Sequence, residues 1–205
     1  MPPVRVRHHV NPLSRKYQTP ITPLDWQYTQ PNLPLHLDIG CARGHFLLGM
    51  AKLEANWNFL GLEIRESLVN DANHHRDESG LTNLHYLFAN VNNSLRILLS
   101  SLPPKSLQRV TIQFPDPWFK NRHAKRRVVQ PQLVEELADY LVTGGVVFLQ
   151  SDMEFIAMEM RDRFAEHPAF RGEWVLENPL PVATEREKST LLRGERVYRA
   201  LFERV

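Results

Sequence analysis

Residues Thr111–Arg127 read TIQFPDPWFKNRHAKRR, and the rest of the chain can be interpreted outward from this stretch. Its first part is predicted to be a short buried strand, because apolar and polar side chains alternate up to Pro115. Pro115 and Pro117 fix their own φ angles and keep Asp116, between them, out of helical conformation. Trp118 and a run of cations follow. A rigidly held acid, an aromatic plane and a basic run at one strand end favour a site for a base and its phosphates.

The basic run taken alone has an ordinary interpretation, which is a solvated loop or the approach to a helix. Its basic residues are Lys120, Arg122, His123, Lys125, Arg126 and Arg127. A solvated loop needs neither a pair of prolines nor a tryptophan, so the preceding residues favour nucleic-acid binding. If Arg126 and Arg127 were structural instead, we would expect them to pair with Glu135 or Glu136 on the next helix.

Composition restricts the class of protein. The 205 residues suit one domain with a sizeable core. The one cysteine, Cys41, excludes a disulfide framework and is typical of a reducing cytoplasm. Apolar runs are strand-sized and no apolar signal region begins the sequence, so neither a membrane span nor a leader is expected. The formal net charge is only +2, yet a basic cluster precedes the first acid, Asp25, which predicts a polyanionic partner. The cluster contains Arg5, Arg7, Arg15 and Lys16.

Residues 1–34 are proline-rich and lack periodicity, and we interpret them as an irregular basic arm. Residues 35–205 alternate between strand and helix patterns and are predicted to form one domain. The predicted strands are Leu35–Ile39, Phe59–Glu63, Leu84–Ala89, Arg109–Phe114 and Val146–Gln150, with two more around Glu173–Leu176 and Arg196–Phe202. The predicted helices are Arg43–Leu53, Arg65–Glu78, Ser94–Leu99, Gln130–Leu141 and Met153–Phe164.

This alternation predicts an α/β fold with a doubly wound, mostly parallel, seven-stranded sheet. The last two strands have no full helix predicted between them, which suggests an antiparallel pair at one edge. Acceptor side chains stand at the ends of the first four strands, namely Asp38, Glu63, Asn90 and Asp116. Any one of them could be a turn or capping residue. Together they predict a binding site, because such sheets bind ligands outside the carboxyl ends of their strands.

The loop after the first strand contains Gly40, Ala42 and Gly44, which is not the G-x-G-x-x-G pattern of dinucleotide-binding proteins. An acid two residues before the first glycine instead resembles the class I S-adenosylmethionine-dependent methyltransferases. The C-terminal R-V-Y-R-A-L-F segment is similar to the antiparallel strand that this class adds to the doubly wound sheet.

Five motifs together resemble the bacterial tRNA (guanine-N7)-methyltransferase family. They are D-x-G with Gly44, G-L-E at Glu63, QFPDPWFKNRHAKRR, Q-S-D at Asp152 and T-E-R-E at Thr184–Glu187. The resemblance covers Leu35 to the C-terminus. It implies methyl transfer from S-adenosylmethionine to N7 of guanine 46 in the variable loop of tRNA, giving 7-methylguanosine. It also implies a cytoplasmic monomer or homodimer with tRNA as partner and neither a metal nor a membrane.

The resemblance also assigns residues. Its cofactor contacts fall on Asp38, Gly40, Gly44, Glu63, Asn90 and Asp116. Its substrate contacts fall on Lys120, Asp152, Thr184, Glu185, Arg186 and Glu187. Asp116 becomes the catalytic residue, and the RNA backbone is expected to be held by Arg122, Lys125, Arg126 and Arg127.

Three residues depart from the family pattern. Ala42 replaces a glycine, and a methyl group is a small change there. Asn90 replaces an aspartate, and its carbonyl could still accept from an adenine amino group. Arg186 replaces an aromatic residue, which would either loosen base stacking or supply a guanidinium plane that stacks.

The chemistry needs few catalytic groups. Guanine N7 already carries a lone pair, so the absence of an obvious nucleophile, triad or metal constellation is expected. Two alternatives stay open. One is a methyltransferase of the same fold that acts on a protein or a small molecule. The other is a non-catalytic RNA-binding domain.

Overall fold

A computed structural model of the chain describes residues 10–22 and 28–205. The predicted basic residues Arg5 and Arg7 and the acid Asp25 lie outside the described residues. The described part of the arm contains a short 3₁₀ helix, Arg15–Tyr17.

The described residues form seven strands and six α-helices, mostly within two residues of the predicted bounds. The strands are β1 (Leu35–Ile39), β2 (Asn58–Glu63), β3 (Leu84–Phe88), β4 (Leu107–Gln113), β5 (Val146–Ser151), β6 (Phe170–Val175) and β7 (Tyr198–Arg204). The helices are α1 (His45–Leu53), α2 (Glu66–Glu78), α3 (Val91–Ser100), α4 (Pro131–Tyr140), α5 (Glu154–Ala165) and α6 (Glu185–Leu192).

The strands form one sheet in the order β3-β2-β1-β4-β5-β7-β6. Strands β1 to β5 pair in parallel, whereas β7 runs antiparallel to both β5 and β6. The predicted fold class, including the antiparallel strand near one edge, is confirmed. The direction of winding reverses between β1 and β4, so their carboxyl ends flank the crevice where this kind of sheet binds ligands.

Helix α6 was not predicted, and its presence corrects the expected short connection between β6 and β7. Its interior is polar and only Glu187 and Thr190 are buried, so it lacks the apolar periodicity by which helices are recognised. The signal that identifies it is a capping box, T-x-x-E, at Thr184–Glu187. Thr184 Oγ1 accepts a hydrogen bond from the Glu187 N–H, which satisfies one free donor of the first turn.

The sheet is covered on both faces. Leu37 and Val110 belong to a large apolar cluster with α3, α4 and α5, while Phe59 packs in a second cluster with α1 and α2. Since side chains alternate between the faces of a strand, the polar residues His36 and Asp38 point to the side opposite Leu37. The ring of His36 contacts Phe46 on α1, with centroids 5.8 Å apart. Among the described residues, no helix is both long enough and apolar enough to cross a membrane.

Candidate active site

A cleft with about 780 Å³ of empty space lies at the carboxyl ends of β1 to β4. Several predicted site residues line it together, namely Gly40, Glu63, Asn90, Asp116 and Arg126. Trp118 and the arm residues Val10 and Pro12 complete its wall. The sequence therefore located the cleft, although it did not indicate that the arm closes one side.

The loop after β1 needs two of its glycines for different reasons. Gly40 has a φ of 86° and borders the cleft, where an added Cβ would meet nothing within 4 Å, so backbone conformation alone selects glycine. Gly44 has a φ of 75°, and a Cβ there would lie 2.5 Å from the ring of Tyr86. Ala42 also has a positive φ, of 50°. Glycine adopts such an angle readily, whereas it is uncommon for alanine because of its Cβ.

Asp38 lies behind the cleft rather than in its wall. Its carboxylate is buried and accepts hydrogen bonds from Thr111 Oγ1 at 2.6 Å and from Gln113 Nε2 at 3.4 Å. Burial raises the pKa of Asp38 to about 6, opposed by these two hydrogen bonds and assisted by the charge of Glu63. Its Oδ1 atom is thus engaged by side chains of β4, and Asp38 is absent from the residues that line the cleft.

Glu63 is the most completely surrounded acid of the cleft. Its Oε1 accepts from the backbone N–H and the Nε of Arg65 at 3.0 and 2.9 Å. Its Oε2 accepts from the Ala42 N–H at 3.0 Å and from Arg65 Nη2 at 2.9 Å. A carboxylate offers about four lone-pair positions, and these four donors occupy them. No sequence pattern indicated that Arg65 would cover the predicted ribose acceptor.

Asn90 performs two tasks in the described chain. Its Oδ1 accepts from the Asn92 N–H and caps α3. Its Nδ2 donates to the carbonyls of Pro12 and Tyr17, both at 3.0 Å, and Asn93 donates to the Tyr17 carbonyl as well. An aspartate could cap the helix but could not donate to the arm. The departure from the family residue therefore coincides with a contact that fastens the arm beside the cleft.

The Pro-Asp-Pro turn presents Asp116 to the same cleft as Glu63. Two bulky residues flank it in left-handed conformation, Phe114 at a φ of 49° and Trp118 at a φ of 40°. Such angles are unfavourable for large side chains and persist where the surroundings impose them, often at functional sites. One contact that constrains the backbone at Phe114 is the hydrogen bond from its N–H to the Gln150 carbonyl of β5, at 2.8 Å.

The basic stretch forms a 3₁₀ helix, Asn121–Arg126, beside Trp118. The guanidinium of Arg126 lies over the Trp118 ring, 4.8 Å from its centroid, and the ring of His123 meets it edge-on at 5.7 Å. The predicted stacking surface of Trp118 is thus already packed against side chains of this chain. Lys120, Arg122 and Lys125 are exposed.

Arg127 differs from the other cations of the stretch, and its position corrects the expected backbone contact. It is buried, donates to the carbonyls of Pro117 and Trp118, both at 3.1 Å, and forms an ion pair with Glu159 on α5. Neither Glu135 nor Glu136 is the partner, contrary to the structural alternative. A cation enclosed by three protein acceptors holds the turn and is not presented to RNA.

The residues predicted to contact substrate fall into two groups. Arg186 Nε and Nη2 donate to Asp152 Oδ2 at 2.9 and 2.5 Å, so these two residues form a surface ion pair rather than separate contacts. Glu185 is exposed and pairs with Lys188. Glu187 is instead buried, with its carboxylate held by Arg199, Asn178 and Gln150.

Comparisons with known proteins identify a family, related sequences and solved structures of similar fold. A family described as "Putative methyltransferase" matches residues 32–200. The tRNA (guanine-N(7)-)-methyltransferase of Nostoc sp. is 70% identical and covers 100% of this chain and 96% of its own length. The protein of the same name from Microcystis aeruginosa is 59% identical, over 98% of this chain and 99% of its own length. The solved structure of precorrin-6y C5,15-methyltransferase from Geobacter metallireducens has a TM-score of 0.58 and 14% identity, covering 87% of this chain and 84% of its own.

The sheet order, the antiparallel β7 and the cleft at the switch point define a class I methyltransferase fold. Within that class, the extent and identity of the sequence matches show that the chain belongs to the tRNA (guanine-N7)-methyltransferase family.

Proposed function

We propose that the protein transfers a methyl group from S-adenosylmethionine to N7 of a guanine in tRNA, which by family resemblance is guanine 46 of the variable loop. The observation that carries the proposal is the identity of 70% across the whole chain to a protein named for this reaction. The Pro-Asp-Pro turn, which lies between a cleft and a basic helix with exposed cations, supports it. Cytoplasmic action follows from this substrate class.

The cleft suits the proposed methyl donor. It lies at the carboxyl ends of the strands, where such sheets bind ligands, and Gly40 leaves the backbone open to close approach. Glu63 would take the ribose hydroxyls once Arg65 withdraws, and the loop from Gly40 to Gly44 would border the amino-acid tail. Asn90 and the arm carbonyls it holds would border the adenine. The donor, when bound, supplies an activated methyl group.

The residues of the chain then have to position the base and accommodate charge. Guanine N7 needs no deprotonation before it attacks, so the main requirement is alignment of N7 with the methyl group. The methylated base is cationic. Asp116 would accept from N1–H and the exocyclic amino group of the guanine and stabilise the positive charge as it grows. This role requires Asp116 to be ionised and in contact with the base.

The exposed cations Lys120, Arg122 and Lys125, together with the half-buried Arg126, would hold the RNA backbone. N7 cannot be read in the deep, narrow major groove of A-form RNA, so the guanine has to be exposed in a loop or drawn out of the stack. Asp152 and Arg186 would face the RNA as an ion pair. A contact between RNA and either side chain would require the ion pair to break or both side chains to contact the same RNA group.

The test is to incubate the protein with labelled S-adenosylmethionine and unmodified tRNA, then map the labelled nucleotide. We expect 7-methylguanosine in the variable loop. Label on another base, or preferential label on protein or small molecules in a cell extract, would contradict the substrate assignment. Tight tRNA binding without transfer, together with no calorimetric signal for the cofactor, would identify the RNA-binding alternative instead.

A further inference from the structure

A chain of polar side chains crosses the carboxyl-end region of the sheet and joins the glycine loop to α6. Gln113 Nε2 lies 3.4 Å from Asp38 Oδ1, and Gln150 Nε2 donates to Gln113 Oε1 at 2.7 Å. The same Gln150 nitrogen donates to Glu187 Oε2 at 3.1 Å, and Glu187 Oε1 accepts from Arg199 Nη2 at 2.8 Å. Four of these five residues are buried, and Gln113 is half-buried.

The strand register places these side chains in line. Gln113 of β4 is paired with Gln150 of β5, and Gln150 is paired with Arg199 of β7. Residues directly opposite each other on neighbouring strands share a face, so their side chains can meet. Glu187 completes the chain from the first turn of α6, which therefore sits on this row of strand residues.

The donors and acceptors in this row of polar side chains require the amides of Gln113 and Gln150 to have a fixed orientation. Asp38 and Glu187, when ionised, only accept hydrogen bonds, whereas an amide both donates and accepts. Gln150 directs its two N–H bonds to Glu187 and Gln113, and Gln113 passes its own N–H toward Asp38. Reversal of the Gln150 amide would bring two oxygens together at Glu187.

The arrangement is not the one that stability alone would select. The Oε1 of Gln150 is buried and has no hydrogen-bond partner within residues 10–22 and 28–205. A buried acceptor without a donor is unfavourable, so the two hydrogen bonds that Gln150 donates have to offset that cost. We therefore explain the presence of Gln150 by the two residues that its donated hydrogen bonds hold in place.

We propose that Gln113 and Gln150 are positioning residues that fix α6, and with it the segment Thr184–Glu187, relative to Asp38 and the glycine loop. The inference rests on the proposed function in one respect: the glycine loop borders the methyl donor and the Thr184–Glu187 segment borders the guanine. The two amides then set the distance between donor and acceptor. Neither residue touches the reacting atoms.

The test compares Gln150→Met, Gln113→Met and the control Gln132→Met, which changes an exposed glutamine on α4. Hydrogen–deuterium exchange is followed in peptides of α6 and of α4. We expect the two network variants to exchange at least about threefold faster in α6 with α4 unchanged, because the variants weaken one of the three contacts that hold Glu187 and none that holds α4. Unchanged exchange in α6 would overturn the inference whatever the protein's activity.

The second readout is the single-turnover rate of methyl transfer at saturating cofactor and tRNA. We expect a fall of about ten- to a hundredfold for Gln150→Met, with S-adenosylhomocysteine affinity within about twofold of wild type. Gln150→Glu should be slower still at pH 8 and recover toward pH 6, because a protonated acid regains one donor. Wild-type rates in both methionine variants would overturn the inference and leave the proposed function intact. An inactive wild type would overturn the function, while hydrogen exchange would still decide the anchoring.

Discussion

Arg65 donates three hydrogen bonds to the carboxylate of Glu63, one from its backbone N–H and two from its guanidinium. With the Ala42 N–H, these donors leave the acid no free lone pair for a ribose. The proposed cofactor therefore has to displace the Arg65 side chain before its hydroxyls reach Glu63. In the ligand-free structure the negative charge of Asp116 also acts on Arg65 and helps to raise its pKa, after the hydrogen bonds and charge of Glu63.

Replacing Arg65 by leucine tests this displacement. The cofactor-free variant should lose about 2–3 kcal/mol of stability, because a buried carboxylate loses its cation. S-adenosylhomocysteine should bind about three- to tenfold more tightly by calorimetry, since nothing has to leave Glu63 first. Arg43→Leu serves as control, because Arg43 forms an exposed pair with Asp71 at 3.6 Å that should contribute little. Weaker binding in Arg65→Leu would show that Arg65 itself contacts the ligand.

Replacing Asn90 by aspartate separates its two tasks. The cap of α3 should survive, since aspartate is an equally good N-cap. The arm should detach, because both N–H donors to Pro12 and Tyr17 are lost and a negative charge faces two carbonyls. Limited trypsin digestion should then cut at the exposed Arg15 or Lys16 roughly tenfold faster, the size of effect for losing one or two hydrogen bonds. Asn93→Ala, which loses one bond to Tyr17, should show a smaller acceleration. Equal protection in Asn90→Asp would mean that other contacts hold the arm.

Arg126 and Arg127 should give different phenotypes although they are neighbours. Arg126→Ala should weaken tRNA binding and lower the salt-dependence slope by about one unit, without loss of stability. Arg127→Ala should lower the free energy of unfolding by about 2–4 kcal/mol, because Glu159 and two carbonyls lose their partner. Filter binding across a salt series and urea denaturation measure the two effects. A lower salt slope in a fully stable Arg127→Ala would return that residue to the RNA interface.

Asp116→Asn tests charge stabilisation of the methylated guanine. The variant keeps an acceptor, loses the negative charge and places amide donors against the donors of the base. Turnover should fall by about two to three orders of magnitude, with folding nearly unaffected since the two prolines define the turn. If Asp116 only orients the cofactor, the dissociation constant should rise and saturation should restore the rate. Single-turnover measurements at saturating cofactor and tRNA distinguish these outcomes.

The pKa of Asp38 is raised to about 6, so the contribution of this residue to the free energy of unfolding changes with pH in a known direction. Folding favours the protonated acid, so the contribution is fully present below the ordinary pKa near 4 and is lost as pH rises through about 6. Relative to Asp38→Asn, the wild type should therefore lose up to about 3 kcal/mol between pH 4 and 7. Urea denaturation across this range measures it, with the exposed Asp77→Asn on α2 as control. A constant difference would show that Asp38 is ionised throughout.

The sequence predicted the sheet and the cleft because both depend on local signals. Apolar alternation defines β1 to β5, and acceptors such as Glu63 and Asp116 directly follow strand ends, so topology alone brings them together. Helix α6 was missed because its residues are polar, although its capping box was present in the motif that carried the family resemblance. That motif was interpreted only as substrate contact, whereas Thr184 caps a helix and Glu187 is buried.

Other features depend on strand register and side-chain direction, which cannot be predicted from the patterns of a single sequence. Arg126 and Arg127 are adjacent cations, yet one lies over an indole and the other is enclosed beneath the turn. Gln113 and Gln150 are far apart in the sequence, and only the β4–β5 register makes them partners. Asn90 could be interpreted as a cofactor acceptor, but its amide donors find carbonyls of the arm.

The fastening of the arm also bears on the order in which the protein assembles. Asn90 bonds to the carbonyl of Tyr17, 73 positions earlier in the sequence. During synthesis Pro12 and Tyr17 leave the ribosome before Asn90 does, so the donor of their carbonyls exists only after β3 and the start of α3 have been made. The two carbonyls therefore lack this donor while the first three strands are synthesised. This wall of the cleft can be completed only by residues that follow it in the chain.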